Sequence, residues 1–175
     1  RASIAATMAS AKGIIVCNSA GNSGNNSWKY IGVPADARGI LTVGSVDSNG
    51  IASFFTSYGP SADGRIKPEV VATGSSTAVV KSNGVIGYSN GTSFSSPLMA
   101  GVVACYLQYL KEENKLLSVP DIIQTILASS HLYNSPQSQL GYGIPDFSKI
   151  PGLTTSIDLT RHRNTETYTL ITDTY

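Results

Sequence analysis

A helix-forming run, "ASIAATMASAK", stops at Gly13, and the five residues that follow are "IIVCN". Glycine directly after such a run suits the left-handed residue that closes a helix. An apolar, β-branched run without polar alternation predicts a strand buried on both faces. "ILTVGSVD" (Ile40 to Asp47) predicts a second strand, and "SNG" supplies the turn that ends it. "IASFFTSYG" reads as another short strand, "KPEVVATG" as a strand after Pro68, and "TAVV" with "GVIGYSN" as a hairpin. A long helix is expected from Ser93 to Glu112. Its apolar residues (Leu98, Met99, Val102, Val103, Tyr106, Leu107) fall on nearly every face, which predicts burial all round. A last amphipathic helix starts near Pro120 and Asp121 and carries Ile122, Ile123, Ile126 and Leu127. Helices alternating with buried strands imply an α/β fold with a mostly parallel sheet and helices on its faces.

The 175 residues are enough for one domain with a real core. A hydrophobic share of 41%, a charged share of 13% and seventeen glycines exclude a disordered chain and fit a turn-rich globular one. A net charge of +1 gives no electrostatic reason for nucleic acid or an anionic membrane as partner. No apolar run reaches the roughly 18 residues of a membrane span, and no basic-then-apolar leader opens the chain. The chain begins at Arg1 and enters a helical pattern at once, so it reads as a piece of a longer protein. Residues 151–175, rich in Thr and Tyr and without helical period, read as a β-rich extension or the start of a following segment, distinct from residues 1–150.

Cys17 and Cys105 are the only cysteines. Both are expected as small buried hydrophobes, with a disulfide between them as the alternative. No CxxC or Cys/His cluster exists to hold a metal.

Two stretches carry candidate chemistry. "NGTSFSSPLMAG" sets Gly91, Thr92 and Ser93 at a turn-to-helix junction. A well-capped helix start explains those residues, and so does a nucleophilic serine at the positive end of a helix. "CNSAGNSG" follows the first strand, where α/β sheets keep their ligand sites. Asn22, between Gly21 and Ser23-Gly24, suits an Asx-type turn, and it equally suits an amide donor to a developing oxyanion.

Taken in order, "SAGNSG", "VPA…ILTVGSVD", "KPEVVATG", "GTSFSSPLMAG" and the closing "GYGIPDF" resemble the subtilisin-like serine proteases, the subtilases. The likeness runs from about residue 10 to residue 147. It implies a three-layer subtilisin-like fold and hydrolysis of peptide bonds. Ser93 then matches the nucleophile, and its own N–H and the Asn22 side chain match the oxyanion donors. Ser19, Ala20 and Gly21 match the wall of the pocket for the side chain before the scissile bond, with Thr92 grouped among the substrate-binding residues. The expected partner is a protein or peptide substrate. Family habit implies secretion or a cell-surface location.

The departures bear on mechanism. In the family, the Asp and His of the triad precede the serine, in DSG/DTG-type and HGT-type motifs, and neither motif is present. His131 and His162 both follow Ser93, and the family order excludes them as the base. The chain is therefore expected to be the C-terminal half of a catalytic domain, with its upstream half as partner. A catalytically inactive subtilase-like binding or structural module is the alternative. An α/β-hydrolase is disfavoured because no GxSxG elbow occurs. Phe94, Ser95 and Leu98 stand where the family has Met, Ala and His. Ser23 occupies a pocket-rim position that is acidic in some relatives. No cofactor or metal is expected, with a structural calcium on Asp36 and Asp47 as the alternative.

Overall fold

The computed structural model describes residues 1–151 and 153. The proposed extension over residues 151–175 falls almost entirely outside the described residues.

Helix α1 (Ala2–Ala11) ends as its sequence predicts, with Gly13 just beyond it at φ +88°. Strands β1 (Cys17–Ser19), β2 (Leu41–Val46) and β3 (Val70–Thr73) form one sheet in the order β1-β2-β3. Both pairings are parallel, with Ser19 opposite Val43 and Val43 opposite Val70. β4 (Thr77–Val80) and β5 (Ile86–Ser89) pair antiparallel as the expected hairpin. Helix α2 (Thr92–Glu112) follows directly, then α3 (Val119–Ser129), whose first turn contains Pro120 and Asp121. The α/β class and the parallel sheet expected from the order of elements are both present.

The core forms where the helices meet the sheet. Leu41, Val43 and Val70 are fully buried against Met99, Val103 and Tyr106 of α2, with Ile122 and Ile126 of α3 closing the cluster. β2 is buried at all six positions, the pattern of a central parallel strand.

Three expectations need correction. The first strand is not buried on both faces: pairing starts only at Cys17, Ile14 is 57% exposed, and Cys17 to Ser19 are half-buried. β1 is an edge strand among the described residues, so only one of its edges is paired. Helix α2 is not buried all round either. Met99, Val103, Tyr106 and Leu110 face the core, whereas Leu98, Val102 and Leu107 are exposed, as is Cys105. Both cysteines are free. The third correction concerns "IASFFTSYG", which forms no strand. Ala52 and Tyr58 make only isolated bridges, to Val46 and Tyr30, and between them turn hydrogen bonds and hydroxyl side chains hold the chain. Thr56 N–H donates to the Ser53 carbonyl at 2.9 Å, and Thr56 Oγ1 accepts Ser45 N–H at 3.0 Å. Ser and Thr hydroxyls compete in this way with ladder bonding.

Candidate active site

Parallel strands leave their carboxyl ends on one side of the sheet, and both candidate stretches lie there. The loop after β1 carries Asn22. Gly74, directly after β3, accepts Gly91 N–H at 2.8 Å and so anchors the entry to α2.

Residues 53–57 hold the Asn22 loop from behind. Ser57 N–H donates to the Gly21 carbonyl at 2.9 Å, Ser23 N–H donates to Ser57 Oγ at 3.0 Å, and Gly24 N–H donates to the Phe55 carbonyl at 2.8 Å. Gly24 must be glycine for this approach, since a Cβ there would lie 2.2 Å from the Thr56 carbonyl oxygen. These residues, expected as a strand, instead brace the loop. The run of hydroxyls in "ASFFTSYG" was the available signal.

Thr92 locks the two stretches together. Asn22 Oδ1 accepts both Thr92 N–H and Thr92 Oγ1–H at 2.9 Å, and Thr92 Oγ1 accepts Gly21 N–H at 3.2 Å. Thr92 itself is buried, so its hydroxyl faces the loop rather than solvent. With Oδ1 occupied, the Asn22 amide nitrogen is directed toward the turn at Gly91. A Cβ built on Gly91 would lie 3.5 Å from Asn22 Nδ2 and 3.7 Å from Ser93 N, so the two nitrogens flank one point.

Ser93 is the second residue of α2 and its side chain is exposed. Thr92 N–H is capped by Asn22 and Phe94 N–H by the Gly91 carbonyl at 3.0 Å. Among the described residues, neither Ser93 N–H nor Asn22 Nδ2 has a hydrogen-bond partner. First-turn N–H groups are unpaired by helix geometry and carry the positive end of the helix dipole. Two unpaired donors near one point suit an oxygen that becomes negative.

The sequence model of the subtilase family matches residues 1–143. The chain belongs to the subtilases. It is 33% identical over 117 residues to serine protease AprX of Bacillus subtilis (strain 168), covering 55% of this chain and 26% of that protein. Subtilisin DY of Bacillus licheniformis is 39% identical over 98 residues, covering 55% and 34%. The self-cleaved protease domain of PatA superposes with a TM-score of 0.68 at 23% identity, covering 83% of this chain and 52% of that one. This subtilase chain thus spans about a quarter to a third of the two curated relatives and about half of the PatA domain. The PatA likeness establishes a subtilisin-like fold.

The remaining candidates lie elsewhere or apart. Ser19, Ala20 and Gly21 line an open cavity of about 280 Å³ beside Asn22. His131 does not serve Ser93: its Nδ1 accepts Ile144 N–H at 3.0 Å, and its ring lies against Gly143. His162 falls outside the described residues. Among those residues, no side chain hydrogen-bonds the Ser93 hydroxyl. No group of three His, Cys, Asp or Glu side chains converges among them either. Asp36 accepts the Ser3 hydroxyl at 2.6 Å, and Asp47 accepts N–H from Asn49 and Ile51 at 2.8 and 3.0 Å, closing its own turn. No helix among the described residues is long and apolar enough to cross a membrane.

Proposed function

We propose that this chain supplies the nucleophile and the oxyanion hole of a serine endopeptidase. Ser93 Oγ attacks the carbonyl carbon of a peptide bond, and its proton passes to a histidine base. The carbonyl oxygen, now negative, accepts hydrogen bonds from Ser93 N–H and Asn22 Nδ2. Collapse of this intermediate breaks the C–N bond, the base returns the proton to the leaving amine, and water then hydrolyses the ester on Ser93. The pocket lined by Ser19, Ala20 and Gly21 receives the side chain before the scissile bond. Thr92 contributes by fixing Asn22 and Gly21. The single observation that carries this reading is the pair of unpartnered donors, Ser93 N–H and Asn22 Nδ2, flanking one point beside an exposed hydroxyl.

The base and its orienting carboxylate belong, in this reading, to a preceding segment of the same catalytic domain. That segment is also the proposed cover for Leu98, Val102 and the free edge of β1, since unpaired edges and apolar faces seek partners. The reaction requires no cofactor. The proposed location, outside the cell or on its surface, follows the relatives.

A second reading, an inactive subtilase-like module, is favoured by the absence of any base bonded to Ser93 among the described residues. Labelling with a fluorophosphonate separates the two. The full-length protein should be labelled at Ser93, and Ser93→Ala should abolish the label while the fold persists. No label at Ser93 would support the inactive module. Residues 1–175 alone should not cleave a chromogenic peptide at a protease-like rate, because an oxyanion hole without the triad leaves only about 10³–10⁴ over water. Full activity from that fragment would overturn the need for a preceding segment.

A further inference from the structure

Between two anchors the chain leaves the body of the fold. Gly24 N–H donates to the Phe55 carbonyl at 2.8 Å and Ile31 N–H to the Tyr58 carbonyl at 2.9 Å, and both residues are buried. Every residue from Asn25 to Tyr30 is exposed. A turn places Asn25 at the crest of this loop, because Asn26 N–H donates back to the Ser23 carbonyl at 3.0 Å. Asn26 Oδ1 then accepts Trp28 N–H and Lys29 N–H, at 3.1 and 3.3 Å. The Asn26 side chain is thus used by its own loop. Its two neighbours are not: among the described residues, neither the Asn25 amide nor the Ser27 hydroxyl has a hydrogen-bond partner.

Asn25, Asn26 and Ser27 form an Asn-x-Ser triplet without proline, the acceptor motif for an N-linked oligosaccharide. The motif occurs once more in the chain, at Asn90-Gly91-Thr92. The fold treats the two oppositely. Thr92 is buried, and its hydroxyl donates to Asn22 Oδ1 at 2.9 Å. Asn90 Oδ1 accepts Ser76 N–H at 2.7 Å, which fixes that amide in the turn before Ser93. An oligosaccharide there would stand beside the exposed Ser93 hydroxyl and obstruct it. On Asn25 it would stand in water, and neither Asn25 nor Ser27 lines the cavity beside Asn22.

We infer that Asn25 carries an N-linked oligosaccharide and that Asn90 does not. The inference rests on the proposed location outside the cell, because this modification belongs to exported chains. The donor is an oligosaccharide linked to a lipid pyrophosphate. Asn25 Nδ2 attacks C1 of its first sugar, and the C1–O bond to the pyrophosphate breaks as the C1–N bond forms. Nδ2 gives up one proton, the lipid pyrophosphate leaves, and nothing is oxidised or reduced. The transferase reads the Ser27 hydroxyl beside the asparagine, and the fold makes no other use of it. The finished group is bulky and hydrophilic, so the folded chain accommodates it only where the acceptor is open to water.

The test takes the full-length protein from the medium and the surface of the cells that make it, and reads its glycopeptides by mass spectrometry. Peptides containing Asn25 should carry sugar, and peptides containing Asn90 should be bare. Asn25→Gln and Ser27→Ala should each lose the sugar completely, Ser27→Thr should keep it, and Asn90→Gln should leave it unchanged. The side chains of Asn25 and Ser27 are exposed and unbonded, so those variants keep the fold. A bare Asn25 in protein that is exported and labelled at Ser93 would overturn the inference and leave the catalytic reading and the location standing. Protein that stays in the cytosol, bare at Asn25, would overturn the location and the inference together. Sugar on Asn90, or sugar on Asn25 that survives Ser27→Ala, would also overturn the inference.

Discussion

Asn22 Oδ1 accepts two hydrogen bonds from Thr92, one from its N–H and one from its hydroxyl, each at 2.9 Å. The carbonyl half of the amide is thus structural, which leaves the NH₂ half for the proposed oxyanion contact. The two roles separate by mutation. Asn22→Asp keeps the acceptor and removes the donor, so kcat should fall by roughly 10²–10³ with little change in KM. Asn22→Ala loses both, and should in addition cost about 1 kcal/mol as a lost helix cap. Steady-state kinetics paired with thermal unfolding distinguishes these outcomes. A loss of Asn22→Asp confined to KM would make Asn22 a binding residue only.

Ser95 Oγ is buried without a hydrogen-bond partner, two residues beyond Ser93. A buried hydroxyl that bonds nothing costs more than the methyl that would replace it. Ser95→Ala should therefore stabilise the protein by about 1 kcal/mol, read as a rise in the urea midpoint at unchanged slope. A fall in stability would mean that the hydroxyl is bonded in solution. Gly74→Ala should do the opposite. Its Cβ would lie within 2.2 Å of Ser95 Oγ and 2.7 Å of the Gly91 carbonyl, forcing the entry to α2 to shift. Misplacement of that kind near the chemistry should reduce kcat by about 10²-fold.

Lys67 and Glu69 form an ion pair inside the fold. Lys67 Nζ, fully buried, lies 2.5 Å from Glu69 Oε1 and donates to Thr42 Oγ1 at 2.9 Å, while Glu69 Oε2 accepts Thr42 N–H at 2.7 Å. Burial pulls the lysine pKa down and pushes the glutamate pKa up, and their mutual attraction opposes both. Lys67→Met leaves the carboxylate without its counter-charge and should cost about 3–5 kcal/mol. Adding Glu69→Gln, which still accepts from Thr42, should recover more than half of that loss. Chemical unfolding of the single and double variants measures it, and additive losses would show that the pair is not coupled.

Burial raises the Cys17 thiol from its ordinary 9.0 to about 11. The unfolded chain therefore loses this proton first as pH rises. The stabilising contribution is full below pH 9, declines between pH 9 and about 11, and is gone above that. Urea unfolding of wild type and Cys17→Ala across this range isolates the effect from other groups. The difference between the two proteins should shrink with pH, and a constant difference would mean that Cys17 ionises alike in both states.

Local sequence suffices for the order of elements and for several of their ends. Gly13 closes α1, Pro120 and Asp121 open α3, and the apolar runs of β2 and β3 reappear as paired strands. These are outcomes of local propensity and period, so neighbouring residues decide them. Gly91-Thr92-Ser93 was legible as a candidate for the same reason, because caps and turns are local. What lies between distant residues depends on the packed fold. Residues 51–59 look like a strand, but their hydroxyls bond Ser45 and Ser23, the Ser57 N–H bonds the Gly21 carbonyl, and the segment becomes a brace. α2 looked buried all round, but only the sheet and α3 decide which of its faces has a partner. Asn22 and Thr92 are 70 residues apart, and no local pattern records that the amide of one is fixed by the other. A site of this kind is a set of non-local hydrogen bonds, so it takes shape only when the sheet brings the ends of its strands together.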